Sequence, residues 1–147
     1  MEYIDLKTQY KRMQRQINSR LTACMENADF IMGSAVYDLE SRLAEYIGVK
    51  HVVSCGSGTD ALQLICMAYG IGRGDAVLCP AMTFIASVEP AVLLGAEPDF
   101  CEIDGRSYNL LPQSLERQVQ KVIEEKKLVP KAVIAVDFLG SPADYDS

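Results

Sequence analysis

A glycine-rich loop at residues 54–62 carries the residue types best suited to hold an anion. It reads Ser-Cys-Gly-Ser-Gly-Thr-Asp-Ala-Leu, with an apolar run before it and a helical pattern after it. Backbone N–H groups at the start of a helix lie at the positive end of the helix dipole and bind phosphate. Gly58 lets the backbone approach a ligand closely, and the hydroxyl groups of Ser57 and Thr59 add donors. The pattern fits equally well an ordinary turn between strand and helix, in which Thr59 or Asp60 caps the helix.

A second candidate is Phe84, which opens a helical pattern shortly after the apolar run that ends at Cys79. Ligands of open parallel sheets bind at the carboxyl ends of the strands. An aromatic ring there can stack on a planar ligand while the glycine-rich loop holds its phosphate. The alternative is a core phenylalanine packed beneath its own helix.

The remaining polar residues give weaker indications. Asp104 and Asp137 follow later apolar runs and can reach the same cleft, although turn chemistry explains aspartate at both positions. His51 is the single histidine and precedes an apolar run, so a Ser-His-Asp or Cys-His mechanism has no basis. No group of residues has metal-ligand spacing, and we expect no metal site.

Composition limits the class of protein and of partner. The chain has 147 residues, 49% of them hydrophobic and 23% charged, which favours a globular domain over disorder. A net charge of −6 argues against nucleic acid or an anionic membrane as partner. The five cysteines are odd in number and lie mostly in apolar runs, as expected of free thiols in a reducing compartment. The first residues lack a signal-peptide pattern, and we expect a cytoplasmic protein.

Two helices are predicted in the first third of the chain. Apolar residues recur every three or four positions from Leu6 to Glu26, the period of an amphipathic helix. A connector follows, and its apolar segment Phe30–Met32 is expected to pack on other residues. Ser34 can cap a second helix, which Gly48 should end.

From Lys50 onward, strands and helices alternate. This alternation predicts a three-layer α/β fold with a mainly parallel sheet. The predicted strands are His51–Ser54, Ala76–Cys79, Pro98–Ile103 and Ala132–Val136. The predicted helices are Thr59–Tyr69, Phe84–Leu94 and Pro112–Glu125.

Several short motifs together resemble the N-terminal part of the DegT/DnrJ/EryC1/StrS sugar aminotransferases. They occur in family order with family spacing, and the ordered set is more specific than any single motif. The motifs are Ile4–Leu6, Phe30–Gly33, Gly58–Leu62, Gly72–Val77, Pro80–Ser87, Gly95–Pro98 and Phe138–Asp144.

The resemblance implies a partial large domain of the fold type I transferases, which use pyridoxal phosphate. It implies that Gly58, Thr59 and Asp60, with the backbone of Ala61, hold the cofactor phosphate. Phe84 would stack on the pyridine ring, and Ser87 would line the same pocket. Gly33 would lie near the sugar-nucleotide site, across the interface of a homodimer.

The implied activity is transfer of an amino group, usually from glutamate, onto a nucleotide-linked keto sugar for amino sugar and polysaccharide synthesis. The implied domains are an N-terminal helix and connector (residues 1–34) and the partial cofactor-binding domain (residues 35–147). The family's catalytic lysine follows the part seen here, and Lys126, Lys127 and Lys131 do not fit its role. We therefore expect no catalytic residue in this chain and no activity from it alone. In this fold, strands from later in the chain flank the strand at residues 51–54, which is expected to lack its native neighbours here.

Other classes of protein stay open. One is a truncated, inactive product that serves as a dimerisation or regulatory module. Another is a sugar dehydratase that uses the same cofactor. A third is an unrelated mononucleotide-binding domain, which is weakened because no acidic residue ends a strand roughly 20 residues after the loop.

Overall fold

The computed structural model describes residues 4–147. Residues 1–3, which belong to the N-terminal stretch without a signal-peptide pattern, lie outside the described residues. The chain forms two compact units, one ending at Ser54 and the other beginning at Cys55. Among the described residues, no helix combines the length and the hydropathy needed to cross a bilayer.

The first unit contains two helices whose ends are fixed by local polar contacts. Helix α1 spans Leu6–Glu26, as predicted, and the Asp5 carboxylate accepts a hydrogen bond from the Thr8 N–H at 2.9 Å. Helix α2 spans Ser34–Ile47 and ends at Gly48, whose φ of 78° is the left-handed conformation that glycine favours.

The connector between these helices differs from two expectations. Ser34 is the first residue of α2 and not its cap, because its N–H and hydroxyl both donate to the Asp29 carboxylate, at 2.9 and 2.6 Å. The segment Phe30–Met32, which was expected to pack on other residues, is exposed within this chain, at 65%, 92% and 58%.

The second unit is a three-stranded parallel sheet with helices on both faces, which confirms the predicted α/β class. The strand order is β2-β1-β3. The elements are α3 (Gly58–Ala68), β1 (Asp75–Pro80), α4 (Glu89–Leu93), β2 (Glu97–Cys101), α5 (Pro112–Glu125) and β3 (Val129–Val133). Short 3-10 turns occupy Ile85–Ser87 and Phe138–Gly140.

The predicted first strand is absent. Residues 51–54 pair with no strand in the described part of the chain, and the Ser54 N–H donates instead to the Glu40 carboxylate at 2.8 Å. A strand needs a neighbour to receive its backbone hydrogen bonds, and β1, β2 and β3 pair only with one another.

The largest further differences from the predicted boundaries lie in β3 and in the helix after β1, whereas β1, β2 and α3 differ by one or two residues at their ends. Strand β3 begins at Val129, three residues before the predicted Ala132, and ends at Val133. One further backbone hydrogen bond to β1 follows the strand, from the Ile134 N–H to the Leu78 carbonyl at 2.8 Å. The predicted helix Phe84–Leu94 is divided into a 3-10 turn and the five-residue α4. Pro90 explains the division, since proline in a helix interior lacks the N–H and clashes with the preceding turn.

The core lies on both faces of β1, which is buried from Ala76 to Pro80. Val77 packs in a cluster with residues of α3 and α4 on one face, and Leu78 packs with Cys101 and Leu110 towards α5 on the other. Burial raises the pKa of the Cys79 and Cys101 thiols to about 11. Both thiols therefore stay protonated at neutral pH and act as small apolar core residues.

Candidate functional site

The glycine-rich loop leads into the N-terminus of α3, and Ser57 caps this helix. Its hydroxyl accepts from the Asp60 N–H at 3.1 Å, and its carbonyl accepts from the Ala61 N–H at 3.0 Å. The prediction that Thr59 or Asp60 caps the helix is therefore wrong. Both lie within the first turn, where Thr59 is half-buried and Asp60 is exposed.

Two backbone donors remain available at this helix start. The N–H groups of Gly58 and Thr59 have no hydrogen-bond partner among residues 4–147. The first N–H groups of a helix have no carbonyl one turn earlier to receive them. An anion in front of α3 would meet these two donors and the Thr59 hydroxyl, because Asp60 and Ala61 use their N–H groups on Ser57.

The two glycines of the loop differ in what surrounds them. A Cβ added at Gly56 would lie 2.8 Å from Oδ2 of Asp60, the end of an exposed side chain that can move aside. A Cβ added at Gly58 would meet nothing within 4 Å, and the φ of Gly58 is not in the left-handed region. Neither the turn nor its neighbours require glycine at position 58, and the open space beside the free donors fits a phosphate group.

Phe84 is not a core residue, because 76% of its surface is exposed. It precedes the 3-10 turn Ile85–Ser87, which packs against α3. The half-buried Ser87 hydroxyl lies 2.6 Å from the Thr83 hydroxyl. The structure therefore brings the Phe84 segment beside the helix that the glycine-rich loop begins, with the ring accessible.

Asp104 and Asp137 both serve turns, as the simpler interpretation predicted. The Asp104 carboxylate accepts from the N–H groups of Ser107 at 2.8 Å and Arg106 at 3.1 Å. The backbone donor of Ser107 is the main reason that the Asp104 pKa lies below its ordinary value. For Asp137, the main cause of a lowered pKa is the Ala143 N–H, which donates at 3.0 Å.

Asn109 is a buried polar residue that the sequence analysis missed. It is 4% exposed, and its Nδ2 donates to the carbonyls of Ser141 at 3.0 Å and Pro142 at 2.7 Å. Its Oδ1 accepts from the Phe138 N–H at 3.1 Å. An asparagine shortly after Asp-Gly-Arg looks like an ordinary turn residue, and its partners lie about thirty positions later.

Gly33 lies in the first unit, where it is buried at the start of α2. A Cβ there would lie 2.5 Å from Oδ1 and 2.7 Å from the backbone oxygen of Asp29. The Asp29 contact thus supplies a structural reason for glycine, in addition to the substrate role that the resemblance implies.

Lys126 and Lys127 lie between the end of α5 and the start of β3. That is the amino edge of the sheet, opposite the carboxyl ends where ligands of parallel sheets bind. Both side chains are exposed there. Their placement supports the expectation that neither of them binds the cofactor.

A parallel α/β unit with a glycine-opened helix and an exposed aromatic beside it belongs to the class of open α/β domains, whose ligands bind at the carboxyl ends of the strands. A sequence profile described as the DegT/DnrJ/EryC1/StrS aminotransferase family matches residues 11–147, and the chain belongs to this family. Aminotransferases of the family use pyridoxal phosphate, and solved members are in pyridoxal and pyridoxamine phosphate forms.

Three known proteins show the extent of the similarity. The UDP-2-acetamido-2-deoxy-3-oxo-D-glucuronate aminotransferase of Pseudomonas aeruginosa is 41% identical over 147 residues, covering 100% of this chain and 39% of the relative. The UDP-N-acetyl-3-dehydro-alpha-D-glucosamine 3-aminotransferase of Acidithiobacillus ferrooxidans is 36% identical, covering 96% and 36%. The crystal structure of a Brucella abortus DegT DnrJ EryC1 StrS aminotransferase superimposes with a TM-score of 0.96 at 42% identity, covering 99% and 39%. The chain thus spans well under half the length of these proteins.

Proposed function

We propose that this chain is the N-terminal part of an aminotransferase that uses pyridoxal phosphate and a glutamate-type donor to aminate a nucleotide-linked keto sugar. The product would serve amino sugar and polysaccharide synthesis in the cytoplasm. The similarity to two aminotransferases named for UDP-linked sugars supports this substrate class. The observation that carries the proposal is the open space at Gly58, beside two unpartnered helix N–H groups.

In this proposal, the chain binds and orients the cofactor. The N–H groups of Gly58 and Thr59 and the Thr59 hydroxyl hold its phosphate. Asp60 and Ala61 support that cradle by bonding to Ser57, which fixes the first turn of α3. The bound cofactor supplies an electron sink, through its pyridine ring, for chemistry at the amino-bearing carbon.

The segment after β1 supplies the aromatic side of the proposed pocket. Phe84 stacks on the pyridine ring, for which its 76% exposure leaves the ring face available. The Ser87 hydroxyl, which lies 2.6 Å from the Thr83 hydroxyl, would line the same pocket. Stacking and close packing at this position exclude water from one face of the bound ring.

The proposal assigns the substrate-facing role to Gly33 and the neighbouring connector, in a homodimer. The apolar segment Phe30–Met32 supports it, because three consecutive large side chains from 58% to 92% exposed suit a surface that another subunit covers. The test is the oligomeric state of the purified protein, measured by light scattering. A monomer at all working concentrations would contradict the homodimer.

A glycine pair tests the phosphate cradle. Gly58→Ala places a methyl group in the open space, and we expect pyridoxal phosphate to bind about tenfold more weakly, a loss of ~1.4 kcal/mol. Gly105→Ala is the matched control, since its added Cβ also meets nothing within 4 Å and its φ is not left-handed. Equilibrium dialysis with pyridoxal phosphate, and competition by inorganic phosphate, measure both variants.

Phe84→Ala should weaken the binding of pyridoxal phosphate. The dissociation constant of inorganic phosphate, obtained from the competition experiment, should stay unchanged, because phosphate does not contact the ring. Equal affinities for Gly58→Ala, Gly105→Ala and the unmodified protein would contradict the cradle. Unchanged affinity in Phe84→Ala would contradict the stacking role alone.

A further inference from the structure

Residues 137–142, the β3 loop, follow strand β3 and include the 3-10 turn Phe138–Gly140. The β3 loop leaves the sheet at the carboxyl end of β3, directly beside β1, and the last pairing contact joins the Ile134 N–H to the Leu78 carbonyl. Strand β1 leads to Phe84 at the same edge. The β3 loop and the Phe84 segment therefore leave neighbouring strands on the side where ligands of parallel sheets bind.

The β3 loop is held mainly by one buried side chain. Asn109 uses its amide oxygen and both amide hydrogens on the loop backbone, at Phe138, Ser141 and Pro142. The Asn109 carbonyl in turn accepts from the Asp104 N–H at 2.9 Å, which ties it to the end of β2. The Tyr108 ring packs on the Phe138 ring with centroids 5.8 Å apart.

The conformation that these contacts hold is a strained one. Leu139 has a φ of 51°, in the left-handed region that a leucine rarely adopts, and its side chain is 93% exposed. Strain of this kind persists only where the surroundings over-determine the backbone, and it is commonly found where a segment meets a ligand.

We propose that Asn109 is a positioning residue that holds the β3 loop as a wall of the cofactor pocket, next to the Phe84 segment at the carboxyl edge of the sheet. This inference rests on the proposed function, because it assumes that a cofactor stacks on Phe84. Asn109 itself does not touch the cofactor. It acts through the backbone of the β3 loop, and through the exposed Leu139 that the loop presents.

Two substitutions separate hydrogen bonding from packing at this site. Asn109→Ala removes all three hydrogen bonds and some volume. Asn109→Asp keeps the size and the acceptor for Phe138 N–H, but places a charged oxygen against the carbonyls of Ser141 and Pro142. If hydrogen bonds position the loop, the aspartate variant is at least as damaging as the alanine variant. If only packing matters, it behaves like the unmodified protein.

The first measurement is hydrogen exchange of the peptides covering residues 137–143 in the full chain. We expect exchange about tenfold faster or more in Asn109→Asp and Asn109→Ala, since buried donors and acceptors lose their partners. Peptides covering β1 should keep their protection and show that the fold persists. Asn18→Asp makes the same charge change on the exposed face of α1 and should leave the β3 loop unchanged.

The second measurement is the circular dichroism that bound pyridoxal phosphate acquires from its asymmetric surroundings, together with its affinity. We expect a reduced signal and weaker binding in both Asn109 variants. Tyr145→Phe removes the 2.8 Å hydrogen bond to Asp137 from the exposed side of the loop. Tyr145→Phe should also reduce the dichroism signal and the affinity, but by less than the Asn109 variants do. It therefore keeps a test available if the buried substitutions unfold the protein.

The outcomes separate the two proposals. If the unmodified protein binds no pyridoxal phosphate, the proposed function fails, while hydrogen exchange still reports whether Asn109 holds the loop. If the loop loosens but affinity and dichroism stay unchanged, the positioning role is overturned and Asn109 is only structural. If Asn109→Asp leaves exchange unchanged, the hydrogen-bonding argument itself is overturned.

Discussion

The helical unit and the sheet unit of this protein keep their structure by different means. Helices α1 and α2 contain no buried residue, and Leu6, Met13 and Leu21 on α1 are 42% to 65% exposed. Strand β1, in contrast, is buried from Ala76 to Pro80. Polar contacts within a few residues fix the helix ends, whereas contacts between distant segments fix the sheet.

The difference shows that an amphipathic pattern specifies a helix without specifying what the helix packs on. The apolar positions of α1 recur correctly, and the helix has the predicted bounds, yet its apolar face is not buried in the structure. In the sheet unit, the same kind of pattern in α5 does find a partner, since Leu115 and Val119 pack on the cluster around Leu78. Most helical stability in proteins comes from such packing.

The largest expected effect tests this contrast with two leucines. Leu78→Ala empties a position that is 1% exposed at the centre of β1, and should cost about 2–5 kcal/mol of unfolding free energy. Leu21→Ala removes the same atoms from a side chain that is 58% exposed, and should change stability by about 0.5 kcal/mol or less. Urea denaturation followed by far-ultraviolet circular dichroism measures both. Equal losses would show that the α1 face is buried in solution, for example by a second subunit.

A smaller effect is expected at the start of α2. Gly33→Ala forces a methyl group against the Asp29 side chain and backbone, at 2.5 and 2.7 Å, and should cost about 1–3 kcal/mol. Hydrogen exchange of the first turn of α2 should report the loss, because Asp29 holds the Ser34 N–H. Gly58→Ala, whose methyl group meets nothing, is the control for stability. Unaltered α2 protection in Gly33→Ala would show that the Asp29 contact does not require glycine at position 33.

The smallest effect concerns a locally held segment inside the sheet unit. The Ala143 N–H is the main reason that the Asp137 pKa lies below its ordinary value, with the Tyr145 hydroxyl second. A lowered pKa in the folded state means that the stabilisation is complete at neutral pH. It is lost as the pH falls from the ordinary aspartate value through the lowered one. The β3 loop should therefore loosen in acid before β1 does.

Hydrogen exchange across an acid series measures this order of events. Asp137→Asn keeps an oxygen acceptor but cannot titrate, so its β3 loop should lose much of the acid sensitivity. Simultaneous loosening of the β3 loop and β1 in the unmodified protein would show that the loop is part of the sheet's cooperative unit. The β3 loop would then not be held by local contacts in the way that the ends of α1 and α2 are.

Where local chemistry decides, the sequence predicts this structure well. The bounds of α1 and α5, the stop at Gly48 and the alternation of strand and helix all follow from periodicity and from glycine and proline preferences. The ordered motifs indicated the family, which the profile match over residues 11–147 confirms. The glycine-rich loop and the exposed aromatic at Phe84 were also found from sequence, while their roles toward the cofactor stay predictions.

Where distant segments meet, only the tertiary structure decided the outcome. Residues 51–54 read as a strand but have no partner to pair with, so strand propensity alone could not produce one. Asn109 looked like a turn residue until the chain brought residues 138–142 to its amide group. The sequence thus determined the bounds of α1 and α5 and the end of α2 at Gly48. Tertiary structure determined the strand order, the burial of β1 and the partner of Asn109, because backbone pairing and buried hydrogen bonds depend on which distant segments come together.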